Sequence, residues 1–250
     1  MDPFEYREFY RRNLPHVQPP EATLFVTFRL ADSIPKPLLE QWRQEKRVLL
    51  AEWLKKEAVE GNQFAPEAKK EAELEFTRRW FRLFEDSLHE QTSGPFWLKE
   101  ERVAEVMTEA LHYRDGKEYR LDAYCVMANH VHVVFAPLLT EALARKMADK
   151  AILRKKGQPA ETQTDSSRNS DQNVVLSAIM QSLKGFTAWK ANQLLGRRGA
   201  FWQHESFDHI IRSQDQWEKV VKYVLDNPVK AGLVENWQDW KGSYRREETV

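Results

Sequence analysis

Residues Thr23–Leu30 (TLFVTFRL) form a run of β-branched, aromatic and aliphatic side chains that predicts a strand. From Pro37 to about Glu90 the chain changes to strong helix formers of mixed charge. Breaks at Gly61-Asn62 and Pro66 divide that stretch into two amphipathic helices, the second dense in apolar residues (Leu74, Phe76, Trp80, Phe81, Leu83, Phe84). After a loop at 92–95, Val103, Val106, Met107, Ala110 and Leu111 make one apolar stripe along a helix predicted over Lys99–Tyr113. Asp115-Gly116 turns the chain into two apolar runs, Tyr119–Met127 and Val131–Ala136, separated only by Ala128-Asn129-His130. That spacing predicts an antiparallel hairpin.

The second half is less regular. Leu139–Lys156 is a basic helical stretch carrying Arg145, Lys146, Lys150, Arg154, Lys155 and Lys156. Gly157–Asn173 has no apolar period and a Gln/Ser/Thr/Asp-rich composition, which predicts a disordered linker. A helix is expected over Val174–Leu195, ended by Gly196, then a short strand over Phe207–Ile211. A last helix runs from about Asp215 to Asp226 and is stopped by Asn227-Pro228. Residues 1–22 are polar, contain Arg7, Arg11 and Arg12, and end near Pro19-Pro20, as an arm would. No internal repeat is visible, and the 250 residues are expected to form one domain.

Composition narrows the function classes. Thirty-eight Lys and Arg cancel thirty-eight Asp and Glu, which excludes a uniformly basic DNA-coating protein but leaves room for a local basic face. A mean hydropathy of −0.68 and the lack of a long apolar run exclude a membrane span by sequence. The first residues lack the apolar stretch of a signal peptide, and the single cysteine, Cys125, has no internal partner. A reducing, cytoplasmic setting is the expectation.

Chemistry concentrates in two places. His130 and His132 stand at i and i+2, and on a strand both imidazoles project from one face. Two histidines are half of a divalent metal site. Ninety residues on, Tyr223 and Asn227 stand at i and i+4, hence on one helix face. Asn227 offers an amide oxygen, a hard ligand suited to Mg²⁺ or Mn²⁺, and Tyr223 offers a phenol that can serve as a nucleophile toward a polarised phosphate. The same spacing also fits a core tyrosine and a helix-terminating asparagine. Cys125 reads as a core residue.

Five stretches resemble the REP-associated tyrosine transposases, within the single-tyrosine HUH endonuclease superfamily. They are Arg12–His16 (RNLPH), Leu24–Leu30, Val126–Val133 (VMANHVHV), Phe201-Trp202-Gln203 with Phe207-Asp208, and Tyr223–Leu233 (YVLDNPVKAGL), in family order. Two departures accompany them. Ala128 stands where that family usually has proline, and the 157–173 segment lengthens the spacing after the hairpin. The resemblance implies an α+β fold, an antiparallel sheet of about four strands with packed helices, ferredoxin-like at its centre and carrying helical insertions. It implies that His130 and His132 bind the metal with Asn227 as third ligand, and that Tyr223 is the nucleophile. It further implies single-stranded hairpin DNA as the partner, a 5′-phosphotyrosine intermediate, and no cofactor beyond Mg²⁺ or Mn²⁺.

Binding DNA requires local positive charge. Arg197 and Arg198, in a glycine-flanked loop before Phe201, are the leading candidates, followed by Lys184, Lys190 and Arg212. Trp202 and Trp189 are candidate stacking platforms. Two other readings stand beside this one. One is a domesticated hairpin-binding protein with little or no cleavage, the other a metal-dependent hydrolase. Monomer and dimer are equally compatible with the sequence.

Overall fold

A computed structural model of the chain describes residues 22–42, 44–45, 47–48, 51, 83–88, 94–138 and 167–247, with the backbone alone at 167–174. The expected arm, the basic stretch 139–156, residues 157–166 of the expected linker and most of the 37–90 insertion lie outside the described residues. The strands are β1 (Thr23–Arg29), β2 (Tyr119–Val126), β3 (His130–Pro137), β4 (Phe207–Ile211) and β5 (Ser243–Arg245). They pair antiparallel in the order β4-β1-β3-β2-β5. Helical residues at 36–42, continuing through the described positions up to 51, are called α1, and residues 83–88 are called α2. The others are α3 (Glu101–Arg114), α4 (Ser167–Leu194), α5 (Gln214–Leu225) and α6 (Asn227–Lys230).

Read along the chain, β1-α3-β2-β3-α4-β4 with sheet order 4-1-3-2 is the ferredoxin-like α+β arrangement. The described sheet has five strands, one more than expected from sequence. The extra strand, β5, pairs with Ala123–Cys125 at the edge of β2. Three residues are too few to carry an alternating pattern, so this strand has no sequence signature. Its approach depends on Gly242, where a Cβ would stand 2.7 Å from the Val126 carbonyl oxygen. The described part of α4 starts at Ser167, so the last seven positions of the expected linker are helical. Extending a helix already nucleated downstream costs little per residue, even through polar side chains.

The sheet is covered on both faces, which explains the near-continuous apolar runs of β1 and β3. Leu24, Val26 and Phe28, with Val131, Val133 and Phe135, pack against α3 and α4 in the larger core. Phe25, Val134, Ala123 and Cys125 meet Val220, Val221, Val224 and Leu225 of α5 on the other face. A bulge between Leu121 and Ala123 shifts the parity of β2. Cys125 thereby lies opposite His132 in register and on its face, buried, with its thiol pushed up to about 12 by desolvation. A third small core joins Ile34 and Trp42 to Phe84 and Leu88, and holds α2 in place.

Candidate active site

The register decides where the two histidines go. Arg29 pairs with His130 and Thr27 with His132, so Phe25, Thr27, His130, His132 and Val134 share the face covered by α5. Both imidazoles are fully buried. Their Nε2 atoms stand 3.0 Å apart, and the rings meet edge to face with centroids 4.7 Å apart. Each Nδ1 has a partner of its own: Asn129 Oδ1 at 2.7 Å from His130, and Thr27 Oγ1 at 2.8 Å from His132. At this distance either one Nε2 carries a hydrogen donated to the other, or a cation lies between the two lone pairs.

The carboxylate that completes the cluster is Glu85 of α2, a residue that pattern reading did not single out. Its Oε2 is 3.4 Å from His132 Nε2, and Glu85, His130 and His132 each place a ligand atom within 4.8 Å of the others. Burial drives the Glu85 pKa up to about 8. A hydrogen bond from Tyr223 and the charge of Lys230 act in the opposite direction, and Asp86 adds to the rise. A cation among these ligands would reverse that balance, because it stabilises the ionised carboxylate.

Tyr223 arrives on α5, an amphipathic helix capped by Ser213, whose hydroxyl accepts from the Gln216 N–H. The tyrosine is half-buried, with its ring edge-on to Phe25 at 6.0 Å and to His132 at 5.7 Å. Its hydroxyl donates to Glu85 Oε2 at 2.5 Å, and Lys230 Nζ lies 4.6 Å over the ring. Asn227 opens α6, just past the end of α5, rather than closing one continuous helix. Its Nδ2 donates back to the carbonyls of Tyr223 and Val224, satisfying acceptors that a helix end leaves open. That orients the buried Oδ1 the other way, where it has no hydrogen-bond partner among the described residues. A buried carbonyl oxygen without a donor costs about 1–3 kcal/mol, and a cation ligated there would remove the cost. The two imidazole nitrogens and the Glu85 carboxylate are a donor set suited to a divalent ion of hard or borderline character.

The candidate DNA-contacting residues are dispersed and unequal. Lys184 is not a free surface cation: its Nζ donates to the carbonyls of Gln203 and His204 and to Ser206 Oγ, and burial lowers its pKa to about 8. Trp202 is buried, its indole N–H bonded to Thr187 Oγ1 and its ring edge-on to Phe28 and Phe201. A base has no open ring face to stack on there, which removes Trp202 as a platform. Arg197 organises its own loop, reaching Asn192 Oδ1 and the Ala200 carbonyl while lying 3.7 Å over Trp97. Arg198, Lys190 and Arg212 are exposed, as is Trp189.

No helix among the described residues is long and apolar enough to cross a membrane. No family model and no curated protein matches the chain. The chain is similar to the solved structure of a REP-associated tyrosine transposase bound to a REP hairpin, at 14% sequence identity, with 96% of this chain and 81% of that one covered and a TM-score of 0.38.

Proposed function

We propose that this chain is a divalent-metal-dependent enzyme that cuts and rejoins single-stranded hairpin DNA through a covalent 5′-phosphotyrosine at Tyr223, as in DNA transposition. One observation carries the reading: the Tyr223 hydroxyl, the Nε2 atoms of His130 and His132, and a Glu85 oxygen converge in one cluster on one face of the sheet. The motif blocks that resemble tyrosine transposases contain three of these four residues. A core tyrosine with no catalytic task has no need of two buried imidazoles and a buried carboxylate around it.

His130, His132 and Asn227 would hold Mg²⁺ or Mn²⁺, with Glu85 as an additional carboxylate ligand. The ion, when bound, would polarise the scissile phosphate and offset charge that builds up in the transition state. The Tyr223 oxygen attacks the phosphorus in line: a Tyr–O–P bond forms and the bond from phosphorus to the 3′-oxygen breaks. Glu85 Oε2 already accepts the phenolic hydrogen and is placed to receive the proton. The 3′-oxygen takes up one proton, so the count balances. Lys230, over the ring, favours negative charge on the phenol oxygen. Reversal by the 3′-hydroxyl restores the phosphodiester without an external energy source, because the bond energy is kept in the phosphotyrosine.

The histidine–histidine–carboxylate cluster also matches the ligands of hydrolases that activate water. One experiment separates the two readings. The protein is incubated with a single-stranded DNA hairpin and Mn²⁺, run on a denaturing gel, and the labelled peptide is mapped. A protein–DNA adduct at Tyr223 is expected. Cleavage without an adduct, undiminished in Tyr223→Phe, would give the hydrolase instead. Hairpin binding with neither cleavage nor adduct would leave a binding protein.

A further inference from the structure

Asn129 stands in the hairpin connection between β2 and β3, next to His130, fully buried, with both ends of its amide engaged. Its Nδ2 donates to the carbonyl of Leu88, the last described residue of α2, 3.1 Å away. Its Oδ1 stands 2.7 Å from His130 Nδ1. Its backbone is held as well, since the Asn129 carbonyl accepts from the Leu30 N–H at 2.8 Å.

These contacts determine proton positions in sequence. A peptide carbonyl can only accept, so the amide must present Nδ2 to Leu88 and therefore Oδ1 to His130. An amide oxygen can only accept, so His130 Nδ1 must carry the hydrogen. In a neutral imidazole that leaves Nε2 as the bare lone pair, and Nε2 is the atom that faces His132. Thr27 imposes no such order on His132, because a hydroxyl both donates and accepts. The same Asn129 amide anchors the helix that carries Glu85, three residues before Leu88.

We infer that Asn129 is a positioning residue that sets the ligating tautomer of His130 and docks α2, thereby presenting an imidazole nitrogen and the Glu85 carboxylate together. The use of that nitrogen by a cation rests on the function proposed above; the tautomer and the docking do not. Partners of this kind, bonded to the far nitrogen of a ligating histidine, typically change metal affinity about 10- to 100-fold when removed.

The test uses the full chain, free of metal, with imidazole ¹⁵N shifts reporting the His130 tautomer and amide exchange reporting 83–88. Wild type should show protonated Nδ1 and unprotonated Nε2 at His130. Asn129→Ala should lose that preference and speed exchange in 83–88. Asn129→Asp keeps an acceptor for His130 but sets an oxygen against the Leu88 carbonyl, so it should hold the tautomer while exchange still accelerates. Mn²⁺ affinity by calorimetry should fall about 10- to 100-fold in Asn129→Ala. A wild-type His130 protonated at Nε2 overturns the inference even if no variant folds. So does an Asn129→Ala protein with unchanged tautomer and unchanged exchange. If wild type fails to bind Mn²⁺, the metal reading falls, while the tautomer and exchange measurements still decide the role of Asn129.

Discussion

The Tyr223 hydroxyl donates to Glu85 Oε2 at 2.5 Å across 138 residues of sequence, and the same oxygen lies 3.4 Å from His132 Nε2. One carboxylate oxygen thus lies against both the proposed nucleophile and one proposed metal ligand, His132. Substitutions at either residue should be felt at the other.

Tyr223→Phe removes the hydroxyl but keeps the ring against Phe25 and His132. Covalent adduct formation should disappear. Read from sequence alone, the change would be nearly silent for stability. The partly buried hydrogen bond to Glu85 alters that, and a loss of about 1 kcal/mol is expected in urea unfolding. An undiminished adduct, with DNA attached to another tyrosine, would defeat the assignment of Tyr223.

Glu85→Gln keeps an oxygen that can accept from Tyr223 but removes the anionic ligand. Calorimetric Mn²⁺ affinity should drop by roughly tenfold or more, at least the effect of disturbing a ligand's outer partner. His130→Ala and His132→Ala should abolish Mn²⁺ binding and cleavage together. Hairpin affinity, measured by gel shift, should change little in all three, because phosphate contacts elsewhere carry it. Wild-type Mn²⁺ affinity in Glu85→Gln would remove Glu85 from the ligand set.

Trp202 and the exposed basic residues should behave in opposite ways. Trp202→Ala opens a cavity in the core and removes the indole N–H that Thr187 Oγ1 accepts, so unfolding free energy should fall by about 3–5 kcal/mol. Lys190→Ala and Arg198→Ala should leave stability within about 0.5 kcal/mol. If these two cations contact phosphates, each substitution should weaken hairpin binding and reduce the salt-dependence slope by about one. A stable Trp202→Ala protein with selectively weakened DNA binding would contradict its placement in the core.

Asp208 provides a pH dependence separate from the candidate site. Burial raises its pKa to about 7. Between the unfolded value, about 4, and that folded value, the native state binds a proton that the unfolded chain has lost. Stability contributed by this group therefore falls as pH rises from about 4 to 7. Urea midpoints at the two ends of the window should diverge in wild type, and the difference should shrink in Asp208→Asn. An equal pH dependence in both proteins would show that Asp208 is not the source.

Much of the scaffold is written in local pattern. The run Thr23–Leu30 is strand β1 to within a residue, and Phe207–Ile211 is β4 without adjustment. The i, i+2 spacing placed His130 and His132 on a common face because side chains alternate along any strand. Asn227 is buried even though a new helix, with proline in its first turn, starts there. Glu85 had no comparable signal. In a charged helical stretch one more glutamate looks solvated, and it is tertiary contact, Phe84 and Leu88 packing against Ile34 and Trp42 and Asn129 bonding the Leu88 carbonyl, that carries it to the histidines. Likewise the bulge after Leu121 put Cys125 on the histidine face, and the core closed over Trp202 and Lys184. Periodicity records which side a residue faces within its own element. Which elements meet on that side depends on how all of them pack at once, and for this protein that packing alone brought residue 85 beside residues 130, 132 and 223.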